Sequence, residues 1–167
     1  MELSAAGLFR VKWTEQIQEE WITRLLENRP DLDRARLERT RALMAAAVPD
    51  CLVQGYESLI PSLELPDPDD HHVLAAAIHC KADVIITFNV VDFPQEHLAR
   101  FDLEAQHPDE FIFHQFGLNT AAVVVAAQRC RARLKSPPLS APQYLATLQA
   151  QSLPLTVDRL SEYVSVI

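Results

Sequence analysis

Two acidic segments flank a single helix–strand pattern between residues 67 and 94. The first is the Asp-Pro-Asp-Asp sequence at 67–70, and the second carries Asn89 and Asp92 after a β-branched run. In an open α/β sheet, ligands bind at the C-terminal edge of the parallel strands, near the start of the preceding helix, so Asp70 is expected to meet Asp92 there. Converging carboxylates are typical ligands of Mg²⁺ or Mn²⁺. The pattern therefore predicts metal-dependent phosphate chemistry.

The composition excludes several classes of protein. The 167 residues are 49% hydrophobic, which is enough for one ordinary domain with a core. No apolar stretch of about 20 residues and no secretory start are present, so the sequence predicts a cytoplasmic protein without membrane contact. Cys51, Cys80 and Cys130 form no Cys-x-x-Cys pair, which argues against disulfides or a thiolate zinc site. The net charge of −8 implies that any contact with nucleic acid is local.

The first long helix is predicted over 14–28, with Thr14 as its N-cap. Its expected buried stripe consists of Ile17, Trp21 and Leu25. At about 100° per residue, Glu20 falls beside this stripe and Glu19 points to water. If one of these two acids is functional, we expect it to be Glu20.

The following segments are predicted to supply the rest of an α/β layer. A helix over 33–48 is expected to bury Leu37, Leu43, Met44 and Ala47. A short strand is expected at 51–53. Asp67 is a good N-cap for the next helix, which is apolar on nearly every face. The β-branched run at 82–88 has the pattern of a central parallel strand covered on both faces.

The last third of the chain is predicted to be largely helical. Short elements are expected after Pro94, with a last strand at 103–105. Beyond Gly117, three helices are predicted, each starting at a capping residue: Asn119, Ser140 and Thr156. The fold class is therefore α/β with a helical C-terminal extension.

The residues at 67–94 closely resemble the second half of PIN-domain ribonucleases, in particular VapC-type toxins of toxin–antitoxin pairs. The similarity lies in Asp-Pro-Asp-Asp followed by His-Val-Leu-Ala-Ala-Ala, and in Thr-Phe-Asn-Val-Val-Asp-Phe at 87–93. The resemblance implies a three-layer PIN-like fold with a central parallel sheet over residues 1–107. Residues 108–167 would then form the helical C-terminal extension found on some larger members.

The resemblance also implies a set of site residues. Matched position by position, the family's helical glutamate falls on Glu20, its central aspartate on Asp70, and its polar pair on Asn89 and Asp92. Thr87 matches the small hydroxyl residue that supports the site. Of these five catalytic candidates, the resemblance implies that Glu20, Asp70 and Asp92 bind Mg²⁺ or Mn²⁺ for hydrolysis of RNA phosphodiester bonds.

One family feature is not found in this sequence. PIN domains begin with a strand that ends in an aspartate, and no such strand precedes the first helix here. Either the sequence begins late or the chain is a truncated homologue. The alternative function is therefore a catalytically impaired PIN-fold module that engages an antitoxin or self-associates.

Partners follow from the resemblance and from one basic cluster. The family implies an RNA substrate, a cognate antitoxin and a homodimer. Arg129 and Arg133 lie on one helical face and are candidates for contact with RNA, with an acidic partner segment or with the protein's own acids, although a solvated surface is the default for such charges. The histidines at 71, 72 and 79 lack the convergent ligands of a zinc site and are expected to be ordinary helix-surface or partly buried histidines.

Overall fold

The computed structural model describes residues 1–167 and divides them into two units. The first unit contains Arg10–Ile85 and Asn89–Ala105, together with Met1. The second contains Glu2–Phe9, Ile86–Phe88 and Gln106–Ile167. The division into domains 1–107 and 108–167 stays a prediction.

Eight helices and two short strands make up the regular structure. The helices are α1 (Glu2–Ala5), α2 (Glu15–Asn28), α3 (Arg34–Ala47), α4 (His71–Cys80), α5 (Gln95–Leu98), α6 (Pro108–Arg133), α7 (Ala141–Ala150) and α8 (Pro154–Ser161). The strands are β1 (Val84–Ile86) and β2 (Glu104–Gln106). Short 3₁₀ turns occupy Glu57–Ser62, Pro68–Asp70, Val90–Asp92 and Ala99–Phe101. The predicted α/β class with C-terminal helices is confirmed.

The sheet formed by β1 and β2 is shorter than the sequence predicts. The two strands run parallel, since the Glu104 amide donates to the Asp83 carbonyl and the Thr87 amide donates to the Gln106 carbonyl. Ile85 is buried, but Ile86 is 41% exposed. The expectation of a strand over 82–88 covered on both faces is wrong, because β1 has only three residues and its burial alternates, as in a strand covered on one face.

A second parallel contact joins the start of α2 to the segment at 51–53. The Trp13 amide donates to the Cys51 carbonyl, and the Val53 amide donates to the Trp13 carbonyl, over 2.9 and 2.8 Å. This is a single bridge between Trp13 and Leu52, so the strand predicted at 51–53 is reduced to one pair.

Helix α2 begins where its capping residue predicts, but it buries a different face. The Thr14 hydroxyl accepts from the Ile17 amide at 3.0 Å, as an N-cap does. The buried side chains of α2 are Gln18 and Ile22, so the predicted stripe is displaced by one residue. Gln18 tolerates burial because its Oε1 accepts from the Trp21 indole nitrogen at 2.8 Å.

Helix α3 was predicted to bury an apolar face and buries no residue. Leu43 is 61% exposed, and Ala47 is exposed as well. The expectation of an inward face on α3 is wrong at these positions. The helix instead meets α2 through charge, because Arg34 and Arg41 contact Glu19.

The core of the first unit surrounds α4. Leu74 and Ala75 on this helix are fully buried, in agreement with its predicted apolar character on nearly every face. The other buried residues of this core are Val53, Tyr56, Leu63, Leu65, Ala76, Ala77, Ile85, Phe93, Leu98 and Leu103. This packing fixes the position of α4 and, with it, the turn that precedes the helix.

The second unit is built around α6, which has a kink at Asn119. The backbone there is non-helical (φ −158°, ψ 86°), and the Asn119 side chain accepts from the Ala122 amide at 3.0 Å. The predicted capping role of Asn119 is therefore confirmed. By length and composition α6 is also apolar enough to cross a membrane. Its buried face contributes Phe116, Val123, Val124 and Ala127 to the second core.

The last two helices show one confirmed and one wrong prediction. Ser140 forms a reciprocal capping box with Gln143 at the start of α7. Thr156 does not cap α8, because that helix begins earlier, at Pro154. The buried carboxylate of Asp109 on α6 accepts instead from the Leu155 and Thr156 amides, each at 2.8 Å.

Candidate metal centre

Three carboxylates meet in the first unit. One ligand oxygen from each of Asp67, Asp70 and Asp92 lies within 4.8 Å of the other two. We refer to these three residues as the acidic cluster. Asp70 and Asp92, which the sequence predicts to converge, are thus brought together, and Asp67 joins them.

The first two members are presented by the turn before α4. Asp67 caps the Pro68–Asp70 turn, and its side chain accepts from the Asp69 amide at 2.9 Å. Asp70 precedes α4 but makes no side-chain bond to the helix, so its carboxylate is not used as a cap. Side chains three residues apart in a 3₁₀ turn lie on the same side. Asp67, predicted only as a cap, therefore faces the same way as Asp70. The separation of three residues between Asp67 and Asp70 is the sequence feature that could have predicted this.

The third member follows β1 on a turn of its own. Asp92 ends the Val90–Asp92 turn, which the backbone enters after Asn89. The Asn89 side-chain amide donates to one carboxylate oxygen of Asp92. Asn89 therefore holds the Asp92 carboxylate in one orientation, as a hydrogen-bonded neighbour does for a ligating carboxylate.

The electrostatics of the acidic cluster favour a cation. Partial burial raises the pKa of Asp70 above its usual value, and the negative charges of Asp67 and Asp92 raise it further. His72 opposes this increase, whereas Glu20 adds to it. Mutual repulsion of hard oxygen donors is relieved by a divalent ion, so these residues fit Mg²⁺ or Mn²⁺.

Glu20 lies on α2 and is not one of the three residues of the acidic cluster. Its Oε1 accepts from the Gln16 side chain at 3.2 Å and lies 3.0 Å from Nε2 of His72. Glu19, predicted to face water, instead contacts Arg34 and Arg41 on α3. The two adjacent acids thus point to different neighbours, and Glu20 is the one that faces the start of α4.

The other predicted site residues belong to the second unit. Thr87 follows β1, and its amide donates to the Gln106 carbonyl at 3.1 Å. Arg133 pairs with the nearly buried carboxylate of Glu2 at 2.5 Å, and Arg129 is exposed on the same helix. The roles assigned to these residues and to Glu20 and Asn89 stay predictions.

Comparison with known proteins gives two family matches. A family model described as PIN domain matches residues 1–91, which is more than half of the chain. A second model, described as VapC50 C-terminal domain, matches residues 108–162.

One curated relative covers a shorter stretch. The protein named "Putative ribonuclease VapC50" from Mycobacterium tuberculosis (strain ATCC 25618 / H37Rv) is 41% identical over 64 residues. The alignment covers 38% of this chain and 37% of the relative, so the chain spans well under half of that protein's length. No solved structure matches the chain.

Proposed function

Because the chain belongs to the PIN-domain family and is of the VapC type, we propose that it is a divalent-cation-dependent endoribonuclease. The observation that supports this proposal is the acidic cluster of Asp67, Asp70 and Asp92. Its substrate would be the phosphodiester backbone of RNA. Since the net charge of the chain is −8, its contact with that polyanion is local.

We assign the residues around the cluster the following roles. Asp70 and Asp92 bind the cation, Asp67 is an additional ligand, and Asn89 orients Asp92. When bound, Mg²⁺ or Mn²⁺ supplies positive charge against the phosphate and promotes deprotonation of water. Glu20 is a further ligand or orients the attacking water, and Thr87 supports the site.

The partners and location are also part of the proposal. We propose a cognate antitoxin, a homodimeric state and a cytoplasmic location, with Arg129 and Arg133 as candidate contacts to RNA or the antitoxin. Because Arg133 already pairs with Glu2, Arg129 has the freer guanidinium of the two. The alternative is a PIN-fold module that binds an antitoxin but does not cleave RNA.

Calorimetric titration with Mn²⁺ tests the metal site. We expect the unaltered chain to bind Mn²⁺, and both Asp70→Asn and Asp92→Asn to lose most of this affinity. Asp69→Asn is the matched control, because Asp69 is an exposed carboxylate next to Asp70 that is not in the acidic cluster. Equal affinity in all four proteins would contradict the proposal.

Cleavage of a mixed RNA pool then separates the two candidate functions. Cleavage that requires Mn²⁺ or Mg²⁺ and is lost in Asp70→Asn supports the nuclease. Binding of Mn²⁺ without any cleavage supports the module that has lost catalysis. Cleavage that persists in EDTA and in Asp70→Asn would exclude the acidic cluster as its site.

A further inference from the structure

We propose that His72 is a positioning residue that holds the carboxylate of Glu20 toward the acidic cluster. The inference depends on the proposed metal-dependent function and adds a residue to it. His72 lies on α4, two positions after Asp70, whereas Glu20 lies on α2. The pair therefore connects the two helices that carry proposed site residues.

The burial of His72 is the first observation. Its residue surface is only 3% exposed, which is more complete burial than the helix-surface or partly buried histidine that the sequence predicts. A buried imidazole is costly unless its nitrogens have polar partners. Its Nε2 lies 3.0 Å from Oε1 of Glu20. The angles at Nε2 fall outside hydrogen-bond limits, and Nδ1 has no hydrogen-bond partner in the structure.

Of the two side chains in this contact, Glu20 is the one that can change its orientation. The Glu20 side chain is 42% exposed and can rotate, whereas the imidazole is enclosed. Their separation of 3.0 Å is within hydrogen-bonding distance, so it is the carboxylate that would turn to align the bond. Because a carboxylate only accepts hydrogen bonds, Nε2 of His72 must carry a proton for the contact to be attractive, whatever the charge of the ring.

The contact with His72 distinguishes the two oxygens of the Glu20 carboxylate. Gln16, four residues earlier on α2, donates to the same oxygen, Oε1, at 3.2 Å. The Gln16 amide, on the helix of Glu20 itself, and Nε2 of His72, on α4, thus both lie beside Oε1, and Oε2 remains for another interaction. Because α4 also carries the Asp70 turn, His72 ties the orientation of Glu20 to the position of Asp70. Neighbours of this kind orient metal ligands, and removing them typically reduces metal affinity or activity by about 10- to 100-fold.

Two substitutions at His72 test whether Nε2 or Nδ1 of the imidazole is the atom that holds Glu20. In His72→Gln, the side-chain amide can occupy the place of Nε2, so we expect Mn²⁺ affinity and RNA cleavage within about threefold of the unaltered chain. In His72→Asn, the amide reaches only the place of Nδ1, and we expect a loss of about 10- to 100-fold. His79→Leu is the matched control, because His79 is an exposed imidazole on the same helix. Urea unfolding verifies that each variant folds.

A double-mutant cycle tests whether His72 acts through Glu20. We expect His72→Asn to reduce Mn²⁺ affinity in the unaltered chain but to have little further effect when Glu20→Gln is already present. Equal losses in both backgrounds would show a general structural role and overturn the inference. Unchanged affinity in His72→Asn would also overturn it, while leaving the proposed metal site intact. A failure of the unaltered chain to bind Mn²⁺ would overturn both.

Discussion

Replacing Asp70 by Asn should raise the thermal stability of the metal-free chain. With Mn²⁺ present, the variant should instead be less stable than the unaltered chain. The reason is that Asp70 lies among carboxylates and its charge serves no capping bond. The Asp70 carboxylate therefore lowers the stability of the metal-free chain but favours cation binding. Few structural roles other than a ligand would produce such a reversal.

The size of the effect follows from the geometry of the acidic cluster. Its ligand oxygens lie within 4.8 Å of one another. With the dielectric constant of water, each pair at that distance repels by about 0.9 kcal/mol, so the two pairs made by Asp70 cost roughly 1.7 kcal/mol. The attraction of the Asp70 carboxylate to the N-terminus of α4 offsets about 0.5 kcal/mol. At low ionic strength, Asp70→Asn should therefore gain about 1 kcal/mol, or a Tm increase of roughly 2–4 °C.

The same repulsion predicts a dependence on pH. Since the pKa of Asp70 is raised in the folded chain, the folded state binds the proton more tightly than the unfolded state. The stability that this proton contributes is complete below the ordinary aspartate pKa and is lost as the pH rises through the raised value. The advantage of Asp70→Asn should thus be absent near pH 3 and complete at pH 7.

Thermal unfolding at about 10 mM ionic strength, in EDTA and then in Mn²⁺, measures both effects. Saturation to about 100 times Kd stabilises a binding-competent chain by about 2.7 kcal/mol, which is more than the electrostatic gain of the variant. The order of the two Tm values should therefore reverse when Mn²⁺ replaces EDTA, and Asp69→Asn should follow the unaltered chain. A variant less stable in EDTA, or an equal Mn²⁺ response in both proteins, would refute the reasoning.

Two further predictions concern the second unit. Asp109→Ala removes two charge-assisted hydrogen bonds to the start of α8. It should lower the free energy of unfolding, measured in urea, by about 3 kcal/mol. A loss below about 1 kcal/mol would show that water replaces the carboxylate. Ser140→Ala removes the capping box of α7 and should cost about 1 kcal/mol in the same assay, whereas an unchanged midpoint would mean that tertiary packing alone sets the start of α7.

Local signals determined where α2 and α7 begin and where α6 is interrupted. Thr14 and Ser140 cap helices, and Asn119 caps the part of α6 beyond its kink, because each side chain accepts from a backbone amide three residues later. Such bonds depend on neighbouring residues alone. The convergence of Asp70 and Asp92 was also predictable, since one helix–strand unit carries both acids at the same edge.

The structure decided which side chains are buried and which distant groups meet. Periodicity predicted an inward face on α3 that the fold leaves exposed, because a face is buried only if another element covers it. The start of α8 is capped by the carboxylate of Asp109, 47 residues away, which accepts from the amide of Thr156; the sequence had predicted Thr156 itself as the cap. Burial of His72 against Glu20, and the role of Asp67 in the acidic cluster, likewise depend on how separate segments pack. A sequence encodes such contacts only through the free energy of the whole fold, so local patterns do not reveal them.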